Sequence, residues 1–148
     1  MEAADAETIT LGRQLLAAAG MMLAVTLTHA LGLMCISRTL RLRSERLEQI
    51  DFSWRTFGLG AGMALLLLLL HSVQIAMFAG FYLYIGVMTD LEDALYYSAS
   101  AYTTLGRTAD TFPETWRLIG AIEALIGFLM LGWTTAFMVR KINRLMPD

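Results

Sequence analysis

Apolar residues along this chain gather into long runs instead of recurring at helical spacing. The runs cover residues 14–36, 57 to about 88, and 118–139. A helix needs about 20 mostly apolar residues to cross roughly 30 Å of hydrocarbon, so each run predicts a membrane-spanning helix. A fourth apolar run, residues 94–105, is too short to cross. Runs of roughly 10 to 14 residues point to a re-entrant segment or a buried helix. Thr89 followed by Glu92 reads as a capping box, and Asp90 and Asp93 place negative charge where a helix dipole favours it. A short helix is therefore expected to begin near Asp90. Thr103, Thr104 and Gly106 mark its end; the chain then turns polar, passes Pro113 and enters the last span at about Trp116. The pattern predicts a segment that dips into the membrane and returns to the side it came from.

Non-helical backbone at membrane depth is tolerated only where protein buries it or water reaches it, because unpaired amides in lipid cost several kcal/mol each. One chain of three spans cannot enclose such a loop, whereas copies arranged around an axis can, which predicts a cyclic homo-oligomer. The expected fold is an all-α integral membrane protein of three transmembrane helices with a re-entrant helix and loop. The short helix would turn its negative C-terminal end toward the axis, where a dehydrated cation is stabilised.

Composition agrees: of 148 residues, 57% are hydrophobic and 16% charged, which leaves no room for a separate soluble domain. The organisation expected is residues 1–56, an N-terminal transmembrane helix with a basic connection, and residues 57–148, the remainder of the bundle. A secretory signal opens on basic residues, whereas this chain opens with Glu2, Asp5 and Glu7, so the first run is kept as a helix. Arg38, Arg41, Arg43, Arg46 and Arg55 lie between the first two spans, and Arg140, Lys141 and Arg144 follow the third. Both segments are expected on the cytoplasmic side, with the N-terminus outside and the C-terminus inside a plasma (inner) membrane. The arginine-rich connection also carries Leu40, Leu42, Leu47, Ile50, Phe52 and Trp54 and is expected to lie on the inner leaflet as a topology anchor. The single Cys35 excludes an internal disulfide, and the basic residues carry no nucleic-acid motif.

The run Asp93-Ala94-Leu95-Tyr96-Tyr97-Ser98, then Tyr102-Thr103-Thr104-Leu105-Gly106, Trp116-Arg117-Leu118 and Glu123-Ala124-Leu125 carry a family pattern. It resembles the pore-loop potassium channel superfamily, in particular the bacterial two-helix ion-channel module, over about residues 60–140. The resemblance implies four subunits, a pore helix at the short segment, and a filter in which backbone carbonyls and a threonine hydroxyl replace the water around K⁺. The first span lies outside that module. Aligned without a gap, the family's Tyr-Gly-Asp falls on Arg107, Thr108 and Ala109. The inner half of the filter, Thr103, Thr104, Leu105 and Gly106, is thus intact and the outer half is not. Glycine accepts positive φ freely and β-branched Thr108 does not, so the outer ion sites are expected to be absent or reshaped, and K⁺ over Na⁺ selectivity to weaken.

Arg107 either faces the axis, where four guanidinium groups would repel cations, or points into the surrounding wall, where it would need an acidic partner. The outward direction is preferred. Asp110 and Glu114 are expected at the pore mouth, concentrating cations. Glu123 is an acid in the middle of a span and has to face a cavity or a partner. It shares a stripe with Gly120, Gly127, Leu131 and Thr134, expected to face protein, and acts either as a cation-attracting group or as a brace for the loop. Gly127 and Gly132 serve either a hinge or close helix contact. His29 and His71 stand singly in the first two spans without metal-ligand spacing, so interhelical hydrogen bonds are expected of them. Tyr82, Tyr84, Tyr96 and Tyr97 fit an interfacial belt.

No nucleophile with a base, ligand cluster or phosphate loop indicates an enzyme, and no cofactor is expected beyond permeant K⁺ or Na⁺. The function expected is passive, weakly selective conduction of monovalent cations. The alternative is a non-conducting pore-loop membrane protein with a structural or regulatory role, its filter disabled by Arg107 and Thr108.

Overall fold

The computed structural model describes residues 2–44, 54–106 and 116–145. Their helices are α1 (Glu2–Ser44), α2 (Trp54–Tyr84), α3 (Leu91–Tyr102) and α4 (Arg117–Leu145). Three carry stretches long and apolar enough to span a membrane: Leu11–Thr39, Phe57–Tyr84 and Arg117–Asn143. Their outward faces expose Leu16, Leu23 and Leu27 on α1, Leu65, Leu68 and Leu69 on α2, and Leu125, Phe128 and Leu129 on α4. Surfaces this continuously apolar belong in lipid or against another chain.

Helix α1 extends beyond its apolar run at both ends. With 43 residues it is about 65 Å long, twice the hydrocarbon thickness, because strong helix formers continue into the polar flanks. The first part of the arginine-rich connection, through Ser44, is thus a continuation of α1, while residues 45–53 lie outside the described residues.

Helix α2 stops at Tyr84, short of the end of its apolar run, because Gly86 adopts a positive φ of 71°. Val87 N–H donates to the Tyr82 carbonyl at 3.0 Å and Gly86 N–H to the Leu83 carbonyl at 3.1 Å, the two bonds of a Schellman cap. The chain then reverses into α3. Asp90 is the N-cap of α3: its carboxylate accepts from Glu92 N–H at 2.8 Å and Asp93 N–H at 3.1 Å. The expected Thr89–Glu92 capping box is corrected accordingly. Asp90 presents an anionic acceptor directly to the positive end of the helix, and the cap falls one residue later.

The packing sets the directions of the helices. Ala18 and Val25 of α1 join Phe78 and Tyr82 of α2 and Ile119 of α4 in one apolar cluster with the buried face of α3. Leu33 and Ile36 join Met63, Leu67 and Leu70 in a second cluster, against which Phe137, Met138 and Ile142 pack. Helices α1 and α4 therefore run parallel to each other and antiparallel to α2. Arg38, Arg140 and Lys141 come to the same end of the bundle, where Lys141 Nζ donates to Ser37 Oγ at 2.7 Å and lies 5.5 Å from the centre of the Phe137 ring.

Candidate functional site

Helix α3 fills the wedge between the C-terminal half of α2 and the N-terminal half of α4. Of its buried positions, Ala94, Tyr97, Ser98, Ala101 and Tyr102 follow the three-and-four spacing of a single helical stripe, and Ser100 is buried beside it. Leu91 and Tyr96 face outward. Tyr102, in the last turn, reaches His71 and Gln74 of α2. At 1.5 Å per residue His71 lies roughly 20 Å along α2 from Tyr84, so α3 ends level with the middle of the span beside it.

Glu123 of α4 is fully buried and holds α3 against α2. Tyr82 donates to its Oε2 at 2.5 Å, and Ser98 donates to its Oε1 at 2.5 Å, with Ser98 Oγ also 2.8 Å from the Ile75 carbonyl oxygen. Of the two roles considered for Glu123, these contacts are those of a brace. Its neighbours on the stripe make room for α3: a Cβ on Gly120 would collide with the Tyr97 hydroxyl, and one on Gly127 with the Tyr102 backbone carbonyl. Close helix contact accounts for Gly127, whereas a Cβ on Gly132 would meet nothing within 4 Å. Leu131, expected on the same protein-facing stripe, is 37% exposed. At 100° per residue it stands about 80° around the helix from Glu123. The tyrosines divide. Tyr84 and Tyr96 are exposed as a belt requires, but Tyr82 and Tyr97 are buried and pack edge to face at 5.3 Å between ring centres.

Beyond Tyr102 the chain leaves the helix. Thr104 takes a positive φ of 56° and Gly106 one of 87°. Leu105 N–H donates to the Ser100 carbonyl at 3.0 Å and Thr104 N–H to the Ala101 carbonyl at 2.9 Å, a second Schellman cap with threonine in the left-handed position. Thr103, Thr104, Leu105 and Gly106 are all exposed on this chain. Arg107, Thr108, Asp110 and Glu114 lie outside the described residues.

The two histidines, expected to stand singly, meet. Their ring centres are 5.5 Å apart, and they are joined through Gln74, Tyr102 and Thr134. The signal in the sequence is the presence of His29, His71, Gln74 and Thr134 within apolar spans, but nothing in their spacing shows that they share a level. Among the described residues no group of three or more potential metal ligands occurs. Comparison with protein families, with curated proteins and with solved structures finds no match to this chain.

Proposed function

We propose that the chain is the subunit of a four-fold membrane channel that passes monovalent cations by diffusion, with Thr103, Thr104, Leu105 and Gly106 as the selective stretch of its path. The observation that carries this reading is the placement of α3, which starts beside the end of α2 and delivers an exposed, non-helical segment to mid-span. In a single chain that segment would meet lipid with unpaired backbone groups, at several kcal/mol each. Ringed by copies of itself it would meet an aqueous axis.

The backbone supports the same reading. Positive φ at Thr104 and Gly106 carries the backbone out of the helical path into an exposed segment. Backbone carbonyls are what replaces the water shell of a cation in a filter. The left-handed conformation costs a β-branched residue about 1–2 kcal/mol, and strain of that kind concentrates at functional positions. The fold number and the pore-helix role come from the sequence resemblance. Basic residues at one end of the bundle favour a cytoplasmic C-terminus and an external N-terminus in a plasma (inner) membrane.

The test is single-channel recording from purified protein in planar bilayers under a KCl gradient with Na⁺ substitution, beside the double variant Arg107→Tyr, Thr108→Gly. Cation current with little K⁺/Na⁺ discrimination, sharpened in the double variant, is the expected outcome. A silent parent protein with current only in the double variant would instead establish a non-conducting relative. Reversal that follows chloride would place Arg107 on the axis.

A further inference from the structure

The buried polar residues at mid-span form a closed circuit, and its direction can be worked out from one carbonyl. Gln74 Nε2 lies 3.4 Å from the Val25 carbonyl oxygen, which only accepts, so the amide nitrogen faces α1 and the amide oxygen faces Tyr102. Tyr102 therefore donates its hydroxyl hydrogen to Gln74 Oε1. Its oxygen is left to accept from His71 Nδ1–H at 2.9 Å. A neutral His71 then has a lone pair on Nε2, which accepts from the Thr134 hydroxyl at 2.9 Å. Thr134 Oγ1 in turn accepts from His29 Nε2–H at 3.4 Å, and His29 Nδ1 accepts from Gln74 Nε2 at 3.0 Å. The circuit closes with every member donating once and accepting once around it, and with both imidazoles neutral.

Each of the four helices contributes to this circuit: His29 from α1, His71 and Gln74 from α2, Tyr102 from α3 and Thr134 from α4. Trp133 packs its ring 5.3 Å from that of His29, and the His71 and Tyr102 rings meet edge to face at 5.8 Å. Glu123, the buried acid of α4, directs its contacts to Tyr82 and Ser98. Tyr102 is the residue immediately before Thr103. Its phenol is gripped by the circuit, and its backbone carbonyl abuts Gly127.

We propose that the circuit of His29, Gln74, Tyr102, His71 and Thr134 is the positioning device for the segment 103–106, and that α1 takes part in setting that segment through His29. Helix α1 is then more than an added anchor. The functional weight of this proposal rests on reading 103–106 as the ion path, but the positioning itself does not.

Two measurements on the full chain in lipid test it without using ion current. The chain has two histidines, so ¹⁵N-histidine NMR gives two resolvable ring systems. The expected result is two neutral rings of opposite tautomer, His71 with hydrogen on Nδ1 and His29 with hydrogen on Nε2. Tyr102→Phe removes the acceptor at Nδ1 and shifts His71 toward the Nε2–H form. Loop order is read from a nitroxide placed sparsely at Leu105→Cys in a Cys35→Ser background. His29→Leu keeps the bulk but takes one partner each from Gln74 Nε2 and Thr134 Oγ1, and a several-fold rise in nitroxide mobility is expected. His29→Gln retains one acceptor and one donor and should restore order. Two like tautomers, a charged ring at neutral pH, or unchanged nitroxide mobility in His29→Leu would overturn the proposal. Mobility that responds as expected in a protein that passes no current would uphold the positioning role and remove the channel reading instead.

Discussion

Thr104 and Gly86 hold the same place in two copies of one capping motif, yet only one of them is glycine. At Gly86 the positive φ is free, and the turn merely reverses the chain. At Thr104 the same conformation opposes the side chain, so the residue is retained at a cost of about 1–2 kcal/mol. A threonine that caps a helix end and carries an exposed hydroxyl offers an oxygen where the loop is proposed to meet cations. Gly127 shows the converse economy, with a side chain absent because α4 approaches the Tyr102 carbonyl too closely for one. Gly127→Ala is expected to displace the segment after Tyr102 and to lower stability by about 1–3 kcal/mol, as overpacking does. Gly132→Ala, with open space around it, should be neutral or gain up to about 1 kcal/mol from helix propensity. Thermal unfolding in detergent, compared for the two variants, separates them.

Among the elements, α3 was the most legible in the sequence and is also the most dependent on its surroundings. Its start, its short length and its end can be read from Asp90, the span-deficient run and the Thr-Thr-Leu-Gly turn. A helix of 12 residues has little stability of its own, so its ends and its buried stripe decide whether it forms. Asp90→Ala removes the acceptor for two backbone N–H groups and should cost about 1 kcal/mol. Hydrogen exchange at Glu92 and Asp93 is expected to quicken in that variant while the amides in the middle of α2 stay protected. The three spans were legible from hydropathy to within their apolar bounds, but the ends of α1 and α2 were not. Helix ends are set by backbone capping, and hydropathy carries no information about Gly86 beyond the presence of a glycine. The pairing of His29 with His71 was illegible because it depends on the relative height of α1 and α2, which no spacing within either helix records.

The molecule as a whole places its polar circuit between two apolar clusters, one around Phe78, Tyr82 and Tyr97 and the other around Leu33, Met63 and Leu67. Along α1 the order is Val25, His29, Leu33, and along α2 it is Leu70, His71, Gln74, Phe78, so the same three layers appear in each. Such layering fixes helix register, since sliding any helix by one turn would bury unpaired polar groups in hydrocarbon. The exposed leucines on α1, α2 and α4 leave ample surface for lipid and for neighbouring copies. Native mass spectrometry from mild detergent is expected to give four copies of the 16.4 kDa chain. A monomer that persists at high protein concentration would remove the axis on which the ion path depends.

The closure of the polar circuit also bears on energy conservation. A line of histidine, tyrosine and threonine crossing a membrane interior is a natural route for protons, and a leak there would discharge the gradient that a cell membrane maintains. Among the described residues the line bends back on itself and closes. Every passage around it also runs through the Gln74 amide, which holds its hydrogens firmly. The bundle is therefore expected to carry titratable groups at its centre without leaking protons, an outcome that proton flux into liposomes holding the protein would check.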